Sequence, residues 1–159
     1  MTAGLRGGKL VSALNVHLHE NIPSNRLVTL FYGELETSGG VLSFVNAGHN
    51  PPFLLRRAGT LERLASNGLA LGVLKTAVFE PLETCLEAGD RLCLFTDGAT
   101  EAFDSKDREF GEERFASIIT SQGSRPAREL VDALLASILS FCKPSRPRDD
   151  ITLLVVDRP

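Results

Sequence analysis

An apolar run that ends in an acidic residue gives the clearest indication of the fold of this chain: Arg91-Leu92-Cys93-Leu94-Phe95-Thr96-Asp97-Gly98. Near the C-terminus, a second acidic stretch precedes another apolar run: Arg148-Asp149-Asp150-Ile151-Thr152. Each apolar run has the length and composition of a buried strand. Two such strands would bring Asp97 and Asp149 to one rim of a sheet. Carboxylate oxygens held at rigid strand ends suit Mg²⁺ or Mn²⁺, so the pattern predicts a site for a hard cation.

The rest of the chain alternates between strand and helix patterns. Extended patterns occupy 28–35, 41–46, 53–57, 78–86, 91–95 and 151–156. Apolar residues at helical spacing occupy 10–18, 115–119 and 130–139. Strand hairpins come first, helices follow, and a last strand returns to the sheet. This order predicts an α+β fold in which helices pack on antiparallel sheet.

Several local features are predicted with these elements. The turn at 37–40 should join the first two strands into a hairpin, and the turn at 87–90 should join 78–86 to 91–95 into another. Apolar residues on both faces of 28–35 predict a sheet covered on both sides. Ser124 is the expected cap of the last helix, with Pro126 in its first turn.

Length and charge limit the classes of function. The 159 residues are 43% hydrophobic, which predicts one globular domain over residues 1–159 with a sizeable core. A formal net charge of −3 gives no electrostatic basis for binding nucleic acid. No stretch is apolar enough to cross a membrane or to act as a signal peptide, so the cytoplasm is the expected location. The basic loop of Lys143, Arg146 and Arg148 is expected to be a solvated connection, although beside an acidic rim it could also meet a phosphate.

Other chemistry-bearing residues are given structural interpretations. Cys85, Cys93 and Cys142 have no C-x-x-C spacing and are predicted to be small apolar core residues rather than a disulfide or metal site. The acidic residues of 104–113 are predicted to form a solvated loop and a helix start rather than a metal cluster. The stretch Asn50-Pro51-Pro52-Phe53 matches a motif of adenine-N6 methyltransferases, but the chain lacks the Gly-rich cofactor loop and the alternating α/β order of that class.

Six motifs in order resemble the C-terminal part of a known bacterial domain. They occupy 27–35, 45–52 (Val-Asn-Ala-Gly-His-Asn-Pro-Pro), 88–92, 95–102 (Phe-Thr-Asp-Gly-Ala-Thr-Glu-Ala), 110–114 and 149–153 (Asp-Asp-Ile-Thr-Leu). The chain resembles the stage II sporulation protein E-like branch of the metal-dependent (type 2C) protein serine/threonine phosphatases. Each motif alone is weak evidence, but six in the right order make chance similarity improbable.

The resemblance implies an αββα sandwich of antiparallel sheets with flanking helices, incomplete at the N-terminal side. It also implies a pair of Mn²⁺ or Mg²⁺ ions and a bridging water that attacks phosphoserine or phosphothreonine. By position, Asp97 and Asp149 match two metal ligands of the family. Gly98 matches the small residue that lets the chain turn beside the metals, and Asp150 replaces a neighbouring Asn. The remaining site residues, His49 and Asn50, lie in a corner that the family places toward the site.

The family's first metal ligands come from a Gly-Asp-x-x-Asp strand and the hairpin that follows it, and neither motif is found upstream of the first helix here. We therefore expect an N-terminally truncated domain in which Asp97 and Asp149 alone bind metal weakly. Exposed sheet edges would then favour self-association.

Two functions follow from these expectations. The first is a phosphatase that acts on a phosphorylated protein such as an anti-sigma-factor antagonist in partner-switching signalling. The alternative is a non-catalytic interaction module that keeps the substrate-facing surface and has lost the metal pair.

Overall fold

A computed structural model describes residues 4–159, which contain four α-helices and seven strands. The helices are α1 Gly7–Asn21, α2 Asp97–Thr100, α3 Glu112–Gln122 and α4 Ala127–Cys142. The strands are β1 Leu30–Leu35, β2 Val41–Ala47, β3 Phe53–Leu55, β4 Leu61–Arg63, β5 Leu82–Cys85, β6 Arg91–Phe95 and β7 Leu153–Asp157. The predicted combination of helices with antiparallel sheet is confirmed.

The chain divides into two compact units. The first consists of the chain through Pro51 together with Ala65–Leu86, and the second consists of Pro52–Leu64 and Glu87–Pro159. Each unit contains its own antiparallel sheet. The expectation of a single domain over 1–159 stays a prediction.

The first unit contains a three-stranded sheet in the order β1-β2-β5. The predicted hairpin of β1 and β2 is confirmed: Leu35 pairs with Leu42, and the amide of Gly40 donates to the carbonyl of Glu36 at 2.8 Å. The prediction of a sheet covered on both sides holds at its central strand, where the consecutive residues Phe44 to Ala47 of β2 are all buried, whereas β1 is only partly buried along its length. β1 lies at the edge of the sheet, where fewer side chains cover it.

A small core in the first unit joins α1 to this sheet: Val11, Val45, Ala47, Leu71 and Phe79. The buried side chain of Asn15 anchors the segment that follows Leu71. Its Nδ2 donates to the carbonyls of Leu74 and Lys75 at 3.0 and 3.3 Å, and its Oδ1 accepts from the amide of Gly72 at 2.9 Å. Because the Asn15 side chain is fully buried, these hydrogen bonds offset the cost of removing its amide group from water.

The second unit contains a four-stranded antiparallel sheet in the order β4-β3-β6-β7, with α3 and α4 packed on it. Phe53, Phe95 and Phe115 stack together at its centre, with ring centroids 4.6–6.2 Å apart. The apolar stripe of α4 completes this core with Leu130, Leu134, Ile138 and Cys142. The sheet whose strand β6 leads to Asp97 therefore packs against a large apolar core.

The predicted hairpin of 78–86 with 91–95 is wrong. β5 pairs with β2, whereas β6 pairs with β3 and β7. The reason lies in the turn between them, where the buried carboxylate of Asp90 accepts the amides of Glu87 and Arg57 and the guanidinium of Arg56. These bonds tie the turn to the end of β3 instead of closing a two-strand hairpin.

Three smaller predictions also need correction. Cys85 is exposed on β5, whereas Cys93 and Cys142 are buried as expected. Ser124 does not cap α4, because Pro126 occupies the N-cap position and no side chain caps the helix. Two short elements, β4 and α2, lie where no regular structure was predicted.

Within residues 4–159, no helix combines the length and hydropathy required to cross a bilayer. The longest described helix, α4, has 16 residues.

The structure predicts that truncating the core face of α4 destabilises the protein strongly. Leu134 is 1% exposed, so Leu134→Ala should lower the free energy of unfolding by about 2–5 kcal/mol because it leaves a cavity. Leu139 in the same helix is 42% exposed, so Leu139→Ala is the matched control and should cost much less. Urea unfolding followed by circular dichroism measures both, and equal losses would contradict the assigned helix face.

Candidate metal centre

Hydrogen bonds beyond the ends of β6 and β7 hold the two acidic segments together. Phe95 pairs with Leu153 at the end of the ladder, and the amide of Thr96 donates to the carbonyl of Thr152 at 3.1 Å. The Thr96 hydroxyl accepts from the amide of Thr152 at 3.0 Å and donates to the carbonyl of Asp150 at 3.3 Å. One short side chain therefore fixes the segment that follows Asp149 against the segment that contains Asp97.

Gly98 brings the two segments into contact. It is buried at the start of α2, and a Cβ added there would lie 2.4 Å from the carbonyl oxygen of Asp150. That separation is far below any real contact of a Cβ with an oxygen atom, so a residue with a side chain cannot occupy this position unless the backbone moves. Gly98 thus lies at the close approach of the two acidic segments, and its role in the turn beside a metal pair stays a prediction.

The carboxylates themselves are exposed and only partly engaged. Oδ1 of Asp97 accepts from the amide of Gly98 at 2.9 Å, and Oδ1 of Asp149 accepts from the amide of Asp150 at 2.8 Å. Within residues 4–159 the second oxygen of each has no hydrogen-bond or ion-pair partner. Asp150 is also exposed, and its carbonyl rather than its carboxylate makes the contact with Thr96.

The chemistry of these donors fits Mn²⁺ or Mg²⁺, but their number is small. Carboxylate oxygens are the ligands that such hard cations prefer. The described part of the chain contains no group of three or more His, Cys, Asp or Glu side chains that could hold a metal ion. Asp97 and Asp149 can therefore supply part of a coordination shell, and the assignment of both as metal ligands stays a prediction.

His49 and Asn50 lie in the first unit, at the corner after β2. The amide of His49 donates to Oδ1 of the buried Asn46 at 2.8 Å, and His49 Nδ1 lies 3.3 Å from the hydroxyl of Thr29. The backbone N–H of Asn46 in turn donates to Oδ1 of Asn67 at 2.8 Å. These contacts organise the corner, and the placement of His49 and Asn50 at the rim of the metal site stays a prediction.

Two residues of structural importance received no role from the sequence. Thr96 lies inside the Thr-Asp-Gly motif. A hydroxyl-bearing residue directly after a predicted strand could have indicated a role in hydrogen bonding. Asn46 is a fully buried amide at a position inside a predicted strand, and such a polar residue indicates a specific hydrogen-bonding task.

The acidic residues after α2 form a loop and a helix start, as predicted. Asp104 accepts the amides of Lys106 and Arg108 at 2.8 and 3.0 Å and pairs with the Arg108 side chain. The bond from the amide of Arg108, with help from the Arg108 guanidinium and the amide of Lys106, lowers the pKa of Asp104 to about 2. Glu112 and Glu113 lie in the first turn of α3, where the helix dipole favours negative charge.

Arg148, in the basic loop before Asp149, contacts this acidic loop. Arg148 pairs with Asp107 at 2.7 Å, and its guanidinium lies 4.7 Å from the ring centroid of Phe103. Both charged partners are more than 60% exposed, so the pair adds little to stability. It nevertheless gives the residue next to Asp149 a defined position.

Comparison with known proteins gives a consistent result across the whole chain. The family described as "Stage II sporulation protein E (SpoIIE)" matches residues 1–159. Protein IcfG of Synechocystis sp. is 34% identical over 130 residues, covering 82% of this chain and 20% of IcfG. Phosphoserine phosphatase RsbU of Bacillus subtilis is 27% identical over 157 residues, covering 98% of this chain and 46% of RsbU. The chain spans less than half the length of these relatives.

Solved structures share the fold. The RsbU and RsbW domains of Rv1364c from Mycobacterium tuberculosis match with a TM-score of 0.79 and 25% identity, over 97% of this chain and 42% of that one. The Mn-presoaked phosphatase domain of the cell fate determinant SpoIIE from Bacillus subtilis matches with a TM-score of 0.68 and 17% identity, over 98% of this chain and 68% of that one. The second likeness concerns the fold alone.

Substitution of Gly98 should separate the two acidic segments. In Gly98→Ala the new methyl group meets the Asp150 carbonyl, so we expect a loss of about 1–3 kcal/mol in the free energy of unfolding. Gly39→Ala is the control, because its Cβ would meet only the flexible end of the Glu36 side chain. Chemical denaturation compares the two variants, and equal stability of both would contradict the close approach at Gly98.

Acid should weaken the loop that Asp104 holds. Folding lowers the pKa of Asp104 from 3.8 to about 2. The ionised Asp104 side chain therefore contributes to stability above pH 3.8, and this contribution is lost as the pH falls through about 2. Asp104→Asn should therefore lose less stability than the parent protein on acidification through this window. Urea unfolding across the window measures the difference, with the exposed Asp132→Asn as a control that should follow the parent protein.

Proposed function

The chain belongs to the stage II sporulation protein E family, and we propose that it acts in metal-dependent dephosphorylation of phosphoserine or phosphothreonine on a protein. The observation that carries this proposal is the junction of the two acidic segments. Thr96 bonds to the carbonyl of Asp150 and the amide of Thr152, and Gly98 lies against the carbonyl of Asp150. This junction, together with the exposure of both side chains, supports the proposal that Asp97 and Asp149 contribute to one site.

We assign Asp97 and Asp149 as ligands of Mn²⁺ or Mg²⁺ through the oxygens that accept no backbone amide. Such ions, if bound, would lower the pKa of a coordinated water and offset charge on the phosphoryl oxygens. The chain's own contribution is positioning. The amides of Gly98 and Asp150 fix the orientation of the two carboxylates, and Thr96 holds their segments together.

The number of ligands limits the proposed activity. Two carboxylates leave most positions of two octahedral shells to water, so the metal affinity of residues 4–159 should be weak. We therefore expect little turnover from this chain alone, and full activity requires ligands beyond Asp97 and Asp149. Weak metal binding is also what favours the second candidate function, a non-catalytic module that recognises a phosphatase substrate without hydrolysing it.

The proposed substrate is a phosphorylated regulatory protein. RsbU is named a phosphoserine phosphatase, and the structure with the TM-score of 0.79 contains RsbU and RsbW domains. By analogy, we propose a phosphorylated anti-sigma-factor antagonist in partner-switching signalling as the substrate class. A cytoplasmic location, a lack of nucleic-acid or membrane partners, and self-association through exposed sheet edges stay predictions.

Titration with Mn²⁺ tests the assigned ligands directly. We expect weak binding to the parent protein by isothermal titration calorimetry, and binding about tenfold weaker in Asp97→Asn and in Asp149→Asn, because each removes a charged ligand. Asp132→Asn, which removes an exposed carboxylate from α4, should bind Mn²⁺ as the parent does. Unchanged binding in both ligand variants would refute the assignment.

Phosphatase assays separate the two candidate functions. The parent protein is assayed with Mn²⁺ on p-nitrophenyl phosphate and on a phosphoserine protein. Turnover that Asp97→Asn abolishes would establish an enzyme and would contradict the expectation of little activity. Binding of the phosphoprotein with no turnover supports the interaction module.

A further inference from the structure

A polar cavity lies in the second unit, at the end of β6 opposite to Asp97. It has a volume of about 380 Å³, and three arginines line it: Arg56, Arg57 and Arg91. The hydroxyl-bearing residues Thr120 and Ser124 complete its polar wall. Because β6 has five residues, the cavity is roughly 15 Å along the strand from the acidic junction. It is therefore separate from the proposed metal centre.

Arg57 brings an unneutralised positive charge to this cavity. Its backbone amide is fixed by a 2.9 Å hydrogen bond to Oδ1 of Asp90. Its aliphatic stem lies on Gly89, where an added Cβ would be 2.9 Å from the Cδ of Arg57. Within residues 4–159 the guanidinium has no carboxylate partner. The protein thus orders the stem of an arginine whose head group lacks a counter-charge.

The other two arginines are held in place by carboxylates outside the cavity lining. Arg56 donates to Glu62 and Asp90 at 2.8 Å, and these bonds raise its pKa further above its usual range. Arg91 is 8% exposed and donates to Asp157 and to the carbonyl of Gly123, both at 2.8 Å. The bond to Gly123 also offsets the negative end of α3.

The lining favours an anion over a cation. The described residues around the cavity include three guanidinium groups and no carboxylate. The carboxylates of Glu62, Asp90 and Asp157, which bind Arg56 and Arg91, do not line the cavity. Planar guanidinium forks match the oxygens of a phosphate group and form strong, charge-assisted hydrogen bonds with it.

We propose that this cavity binds a phosphate group, either as free inorganic phosphate or as the phosphate of a small monoester. Its volume lies within the range of small-molecule sites and leaves room for an organic group beside the phosphate. Arg57 is the residue that recognises the anion, and the ion-paired guanidinium groups of Arg56 and Arg91 line the cavity beside it. The hydroxyl of Ser124, which has no hydrogen-bond partner in the described part of the chain, is a further donor.

The test is a titration of the whole chain in buffer with EDTA, which removes divalent ions and so makes the result independent of the proposed metal centre. Inorganic phosphate and O-phosphoserine are the two probes, followed by ¹H–¹⁵N chemical shifts. We expect saturable shifts at the amides of Gly59, Gly89 and Gly123, and tighter binding of O-phosphoserine if a monoester is the natural ligand. Arg57→Ala should weaken binding about tenfold, because it removes charge-assisted hydrogen bonds.

Arg128→Ala supplies the matched control, since Arg128 is an exposed arginine of α4 that does not line the cavity. It should leave binding unchanged, and Asp97→Asn should do the same. Arg57→Lys retains the charge without the planar fork and should bind with intermediate affinity, which also covers the case in which Arg57→Ala fails to fold. No saturable shift at millimolar phosphate, or equal weakening by Arg128→Ala, overturns the proposal.

Discussion

The contact of the Thr96 hydroxyl with the backbone at 150–152 is the constraint on which the candidate site depends. Asp97 and Asp149 lie just beyond the paired ends of β6 and β7, where the position of each depends on how the backbone is held. Thr96 holds it with one donated and one accepted hydrogen bond, and Gly98 permits the approach because it has no Cβ. Below this junction, the stacked rings of Phe53, Phe95 and Phe115 keep the sheet rigid.

Much of this arrangement could be predicted from the sequence, because its determinants are local. The apolar runs before Asp97 and after Asp150 have strand character by themselves. Their acidic ends therefore had to lie at strand termini, and the antiparallel pairing of β6 with β7 brings those termini to one edge. The helices α3 and α4 were likewise apparent from apolar residues at helical spacing.

What could not be predicted depends on contacts between distant residues. The segments of β5 and β6 are separated by a short turn, and a hairpin was the local expectation. Asp90 decides against it through bonds to Arg56 and the amide of Arg57, more than 30 residues earlier in the chain. The wrong prediction that Cys85 is buried has the same cause, because β5, which contains Cys85, pairs with β2 and not with β6. β4 has only three residues and shows no periodicity by which it could be recognised.

The buried amide of Asn15 has a mechanical consequence for the first unit. Its three hydrogen bonds reach 72–75, so a turn of α1 about its own axis would leave a donor and an acceptor unpaired in an apolar interior. The helix is thereby locked in a single rotational setting. Rotation of α1 would therefore have to carry the loop at 72–75 with it or break these hydrogen bonds.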